Sequence, residues 1–394
     1  MGVISMRFII LIMFSLSLGT VFQIPFGSSS YNLQYSEIAL VIGYLMVFLK
    51  AVSTHDNSFK IGKNDINILF IWYICFLYSL STFYWSEYGI STIPGALSIL
   101  VGLMTYFLAT QYKGNYIKGY IIGNRVFMLS LAIQLFFNGF INSDTSLVGF
   151  YAIKEQASTL LGNSNYISIY LSFVFLYEII AREKKWIIFS VISFIGIFIT
   201  LSRAAFLSIA ISLIVYMILL LFNRKLKKTK SIIILSTMGV SVWYFLNNST
   251  LGMELINGVK YALTSGNTAG RDILWNMAIQ QIKDNPFGIG VITNFDPHNL
   301  VLKSFRDLGI LFGLIYMFIL VKPLFSFLNL RVFMYNRRII AALLAYLSVV
   351  VHAMFEIFYF NSSSIIWTAL TLFFIKELIR NERQKSNESI TKIA

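Results

Sequence analysis

Residues 186–222 read WIIFSVISFIGIFITLSRAAFLSIAISLIVYMILLLF. Two apolar segments, 186–200 and 204–222, meet here with only Leu201, Ser202 and Arg203 between them. A helix needs roughly 20 apolar residues to cross a bilayer core. Two such segments joined without a polar loop point to a helical membrane protein. Outward from this pair, further spans are predicted at 8–24, 36–53, 66–82, 93–111, 119–141, 163–181, 231–247, 307–328, 339–358 and 362–379. The fold class is therefore all-α and polytopic, with about twelve transmembrane helices. Composition agrees: the chain is 57% hydrophobic and 12% charged, more apolar than a soluble domain of 394 residues can bury. A membrane β-barrel would show short alternating segments instead of long Phe, Ile and Leu runs. The start, residues 1–22, has one Arg and then an apolar run, which fits a signal peptide or a span, and it is kept as the first span. Residues 1–394 are expected to form a single integral membrane domain.

The net charge of +14 would suggest nucleic acid in a soluble protein. Here the cations sit mainly in alternate loops. One set holds Arg7; Lys50, Lys60 and Lys63; Lys113 and Lys118; Arg182, Lys184 and Lys185; the run from Arg224 to Lys230; Arg331, Arg337 and Arg338; and Lys376, Arg380, Arg383, Lys385 and Lys392. The opposite set holds only Lys154, Arg203, Lys260, Arg271, Lys283, Lys303 and Arg306. Positive charge favours the cytoplasmic side. Both termini are thus expected in the cytoplasm of a bacterial cytoplasmic membrane, and no nucleic acid is needed to explain the charge. The sole cysteine, Cys75, lies in an apolar run and can form neither an intrachain disulfide nor a thiolate metal site by itself.

Most loops are short. The longest, 248–306, falls on the outer side, and a smaller one covers 142–162. The few outer cations each ask for a reason. Arg203 has no wet loop to occupy, so its guanidinium is expected at the outer interface or in a cavity; snorkelling to headgroups is the plainer alternative. Arg271 follows Gly270 and opens a helical pattern of Leu274, Met277, Ala278 and Ile282 that Pro286 stops. A cation in a first turn opposes the helix dipole unless an anion is shared there with backbone N–H groups. A pair with Asp272 is the structural alternative. His298 lies in Asp296-Pro297-His298-Asn299, where Asp296 suits an N-cap and Pro297 the first helical position. His298 would then stand in a first turn, which favours the neutral imidazole a general base requires. His352 and Glu356 are four residues apart in the eleventh span and are expected on one helix face, as a structural pair or as acceptor-binding groups. Asp272, Asp284 and Asp296 have no recognisable metal spacing, and no cofactor is expected. Tyr151, Tyr166 and Trp275 suit sugar stacking or an interfacial aromatic belt. Gly266, Gly270, Gly288 and Gly290 give the long loop a hinged look.

The ordered set Ser202-Arg203, Gly270-Arg271 with Trp275, Pro286-Phe287-Gly288-Ile289-Gly290 and His298-Asn299 resembles the O-antigen polymerase/ligase superfamily over roughly 160–315. Gly162-Asn163-Ser164-Asn165 resembles that family's Gly-Asn-Pro-Asn stretch, with Ser164 where the family has Pro. The resemblance implies a GT-C-like helical fold and an undecaprenyl-diphosphate-linked oligosaccharide as donor. It implies that Arg203 and Arg271 hold the diphosphate and that His298 is the base. Asn163, Asn165 and Asn299, with His352 and Glu356, become substrate-binding candidates.

The expected activity is metal-independent glycosyl transfer at the outer membrane face. It joins lipid-linked repeat units into an O-antigen or capsule, with a chain-length regulator as an optional partner. A ligase would share the site and differ in acceptor. A lipid-linked-oligosaccharide flippase is the reading from another class; it would place binding groups near the midplane, often with inverted repeats, and none is evident.

Overall fold

The computed structural model describes residues 2–54, 61–112, 114–138, 154–222, 270–292, 296–329 and 336–391, with scattered positions between 236 and 260. The basic run 224–230, most of the predicted span 231–247, His55, Tyr151 and Gly266 lie outside the described residues. The chain folds as two units. The first comprises Met1–Ser130, Ile273–Ser326 and Ala353–Ala394; the second comprises Leu131–Asp272 and Phe327–His352.

The elements run α1 (Gly2–Leu16), β1 (Thr20–Phe26), β2 (Ser29–Gln34), α2 (Tyr35–Thr54), α3 (Lys63–Ser81), α4 (Ile93–Gln111), α5 (Tyr116–Phe136), α6 (Ser164–Ala181), α7 (Trp186–Thr200), α8 (Arg203–Phe222), α9 (Arg271–Asp284), α10 (Leu300–Val321), α11 (Arg337–Ala353) and α12 (Ser362–Thr391). Among the described residues eight helices are long and apolar enough to cross a membrane. They are α2 to α6, α8, α10 and α12, each at a predicted span. The protein is mostly helical and polytopic. Two shorter apolar helices, Met6–Leu16 and Trp186–Thr200, fall at two further predicted spans.

The predicted first span, 8–24, is only half a helix. It stops at Leu16, and Gly19, at φ +72°, turns the chain into an antiparallel hairpin of β1 and β2. β-branched and aromatic residues at Thr20, Val21, Phe22 and Ile24 favour a strand there. The protein is therefore not purely α-helical. The hairpin is tied down by Ser28, whose N–H donates to Ser91 Oγ at 3.0 Å.

In the first unit α4 packs on α3 and α12, and α3 packs on α10. Hydrogen bonds between buried polar groups join α5 and α12 in this bundle. Trp367 Nε1 donates to Asn124 Oδ1 at 3.2 Å, and Tyr116 Oη to the Leu370 carbonyl at 2.8 Å. In the second unit α6 packs on α7 and α8, and Glu183 on the following loop pairs with Arg338 of α11.

The feature that shapes the first unit is a break in α10. At Gly309, φ 71° and ψ 170° interrupt the helix. The carbonyls of Arg306 and Asp307, freed by the break, accept from Ile289 N and Gly290 N at 2.9 Å each. Returning the exchange, four successive carbonyls of the Pro286–Ile289 stretch are met: Pro286 by Ile310 N, Phe287 by Tyr78 Oη, Gly288 by Trp85 Nε1 and Ile289 by Ser86 Oγ. Backbone that leaves the helix within a membrane protein must be satisfied by protein in this way. A Cβ at Gly288 would lie 2.4 Å from Gly309 N, so the two glycines permit the contact. Here Gly288 and Gly290 serve close packing instead of a hinge.

Gly309→Ala is accordingly expected to be severe. It adds a Cβ 2.6 Å from the Phe287 carbonyl carbon, in a backbone region almost reserved for glycine. The expected loss is at least about 3 kcal/mol. Thermal unfolding in detergent, followed by size-exclusion chromatography, should show an aggregated or strongly destabilised protein. A wild-type melting curve would contradict the break.

Candidate functional site

The segment 296–300 leads into α10. Asn299, extended at φ −150°, is the N-cap: its Oδ1 accepts from Val301 N and Leu302 N at 3.0 and 3.1 Å. Its Nδ2 donates to the Met354 carbonyl at 3.1 Å. The cap predicted at Asp296 is therefore displaced three residues, and the helix begins at Leu300. Asn and Asp are near-equal caps. Asp296 is instead occupied by two other partners: Oδ1 accepts from His298 N at 3.1 Å and Oδ2 meets Lys303 Nζ at 3.1 Å.

His298 consequently lies outside the helix, at φ +48° in the left-handed region. The expectation that a helix dipole keeps this imidazole neutral does not hold. A carboxylate takes the dipole's place. His298 Nδ1 lies 2.8 Å from Glu356 Oε1, with the imidazole side chain 36% exposed and the glutamate buried. An ionised Glu356 accepts, so it selects the tautomer with hydrogen on Nδ1 and leaves Nε2 as the basic nitrogen. A half-exposed imidazole held by a buried carboxylate can accept a proton at Nε2.

The match of Glu356 to His298 corrects a second expectation. α11 ends at Ala353, so Glu356 is not helical and does not share a helix face with His352. His352 is fully buried at the end of α11.

Arg203 is the first residue of α8, directly after the linker Leu201–Ser202. Both linker residues are fully buried, and the Ser202 carbonyl accepts from Ala205 N and Phe206 N. Leu201, at φ +49°, packs against Phe206 and Leu246. The tight, dry turn predicted between the two spans is present. Arg271 is the first residue of α9, as expected, and follows Gly270 at φ +75°. Trp275 of α9 donates from Nε1 to the Pro297 carbonyl at 2.8 Å, which ties that helix to the His298 segment.

Residues 188–318 match the O-antigen ligase family. This stretch is similar to the O-antigen ligases. No curated protein matches the chain. The matched stretch runs from α7 into α10 and contains Arg203, Arg271, His298 and Asn299. Glu356, the partner of His298, lies beyond it. The family takes in ligases and polymerases of O-antigen processing, which are glycosyltransferase-like enzymes.

Two further predicted residues, Asn163 and Asn165, lie at the start of α6. Asn163 caps α6, its Oδ1 accepting from Tyr166 N at 3.1 Å. Ser164 then fills the first helical position, where a proline would also fit. The Asn165 carbonyl accepts from Ser168 Oγ at 2.7 Å.

Sequence reasoning missed the charges beneath His298. Lys303, Arg306 and Asp307 of α10 are essentially buried. Lys303 Nζ meets Asp307 Oδ2 at 2.9 Å as well as Asp296, and Arg306 holds Asp307 Oδ1 at 2.7 Å. Nearby, burial and then the Glu87 carboxylate push the Tyr88 phenol above its usual value, while Arg306 acts in the opposite sense. The signal was the i, i+4 spacing of Lys303 and Asp307 beside an apolar run. It was obscured because the predicted span began at 307, which left both cations in a loop. Among the described residues no group of three or more His, Cys, Asp or Glu side chains could hold a metal ion.

Proposed function

We propose that this protein transfers a glycan from an undecaprenyl-diphosphate carrier to a sugar hydroxyl, with His298 as base and Glu356 as its orienting partner. The observation that carries this reading is the 2.8 Å His298–Glu356 contact, with His298 inside the stretch similar to O-antigen ligases. The His298 Nε2 takes the proton of the acceptor hydroxyl. The acceptor oxygen attacks the anomeric carbon, the bond from that carbon to the diphosphate oxygen breaks, and the lipid diphosphate leaves with the electron pair. Direct displacement inverts the anomeric centre. Arg203 and Arg271 are assigned to the diphosphate by the family resemblance and by their places at helix N-termini, where backbone N–H groups also favour anions. A guanidinium fork suits phosphate oxygens.

The acceptor in this reading is a second lipid-linked oligosaccharide, which makes the protein a polymerase of surface polysaccharide. A ligase is the second reading, favoured by the description of the matched family. The Lys and Arg distribution supports a bacterial inner-membrane protein with both termini in the cytoplasm and chemistry at the outer face. With α1, α7, α11 and the stretch 231–247 added to the eight long helices, the span count would be the twelve of a GT-C-like bundle.

The test supplies purified protein in nanodiscs with lipid-linked oligosaccharide and resolves products on a gel. A ladder of added repeats supports polymerisation. A single addition to a lipid core or other acceptor supports the ligase. Transfer is expected to continue in EDTA, because the leaving diphosphate is held by arginine. Loss of transfer in EDTA and its return with added Mg²⁺ would contradict the metal-independent route.

A further inference from the structure

A lysine ammonium has three hydrogens to donate. Lys303, only 2% exposed, has three oxygens within reach: Asp296 Oδ2 at 3.1 Å, Asp307 Oδ2 at 2.9 Å and the Ile292 carbonyl at 2.9 Å. The Phe360 ring lies 5.1 Å away. Burying such an ion cluster is costly, and replacing the whole cluster by apolar side chains of equal volume is often no worse for stability. Its place in the chain suggests a different use. Two of these three oxygens, those of Ile292 and Asp296, belong to the segment that delivers His298. The third, Asp307, is anchored on α10 by Arg306 Nε and a terminal guanidinium nitrogen, both at 2.7 Å.

We propose that Lys303 is a positioning residue for His298, acting through Asp296. A residue with a β-carbon keeps a left-handed backbone only where its surroundings hold it. At His298 the hold is Asp296 Oδ1, which accepts the backbone N–H. Lys303 fixes the other oxygen of that carboxylate, so the imidazole arrives with Nδ1 on Glu356. The series Arg306, Asp307, Lys303, Asp296, His298 and Glu356 is thus continuous. In formal charge it sets Lys303 and Arg306 against Asp296, Asp307 and Glu356. One negative charge is left over, and a proton accepted by His298 balances it.

This inference rests on the base role proposed for His298, and one measurement on it needs no substrate. The chain has three histidines, His55, His298 and His352. With ¹⁵N-histidine-labelled full-length protein in nanodiscs, at a pH where imidazoles are neutral, His298→Ala identifies the His298 signals. The wild type should show hydrogen on Nδ1. Lys303→Met and Asp296→Asn should each show a mixture of tautomers. Asp296→Asn keeps the side-chain shape and carries the test should Lys303→Met fail to fold. In the transfer reaction Lys303→Met should lower kcat by about 10–100-fold, the range for partners that orient an active group, with donor KM nearly unchanged. The double variant Lys303→Met/His298→Ala should be no slower than His298→Ala alone. A wild-type tautomer in both single variants would overturn the proposal, as would a double variant slowed by the full additional factor. Absence of transfer in the wild type would count against the base role, while the tautomer result would still decide whether Lys303 positions His298.

Discussion

Arg203→Ala and Arg271→Ala are each expected to abolish product, with turnover down by about 10³-fold or more and protein levels intact. The leaving group is a diphosphate, and its charge grows as the anomeric bond breaks. Stabilising that charge is the largest contribution an enzyme of this kind can make. Each arginine is half-buried at the start of a helix, α8 or α9, where cations are disfavoured unless an anion is present. Lysine in either place keeps the charge and loses the bidentate fork, so Arg271→Lys should recover only part of the rate. The assay is product formation from a lipid-linked donor with purified variants, matched by melting temperature. Near-normal product from either alanine variant would remove that arginine from the diphosphate.

His298→Ala is expected to leave a trace, about 10²–10⁴-fold below wild type, the usual worth of a general base. Glu356→Gln is the more informative change. The carboxylate can only accept from Nδ1, which keeps Nε2 basic. An amide can instead donate to Nδ1, and the imidazole proton then moves to Nε2, where it blocks the base. The expected loss approaches that of His298→Ala, and the two changes together should cost no more than His298→Ala alone. Full additivity in steady-state kinetics would mean that Glu356 acts on something other than His298.

The apolar runs made most of the helical membrane architecture legible. The length of the apolar runs alone located the eight long helices. The helix starts at Arg203 and Arg271 were also legible, since Gly270 and the two-residue turn before Arg203 are local signals. His298 was recognised, but its setting was not. Asp296 and Asn299 are both good caps, and only the tertiary bond from Asn299 to Met354 favours the second. The pairing of His298 with Glu356 joins residues 58 positions apart, beyond the reach of any periodicity. The hairpin at 20–34 was hidden because its first strand continues an apolar run. The break at Gly309 depends on the Pro286–Gly290 loop packed against it, and a lone glycine in a helical pattern does not announce that partner.

The most direct test of glycosyl transfer by an oriented histidine compares wild type, His298→Ala and Glu356→Gln in nanodiscs. Each is given a panel of undecaprenyl-diphosphate-linked oligosaccharides and acceptors. The account predicts transfer by the wild type with inversion at the new linkage, and near-total loss in both variants. Absence of transfer across the panel, with wild-type protein moving the lipid-linked donor across proteoliposomes, would contradict it and make the protein a flippase.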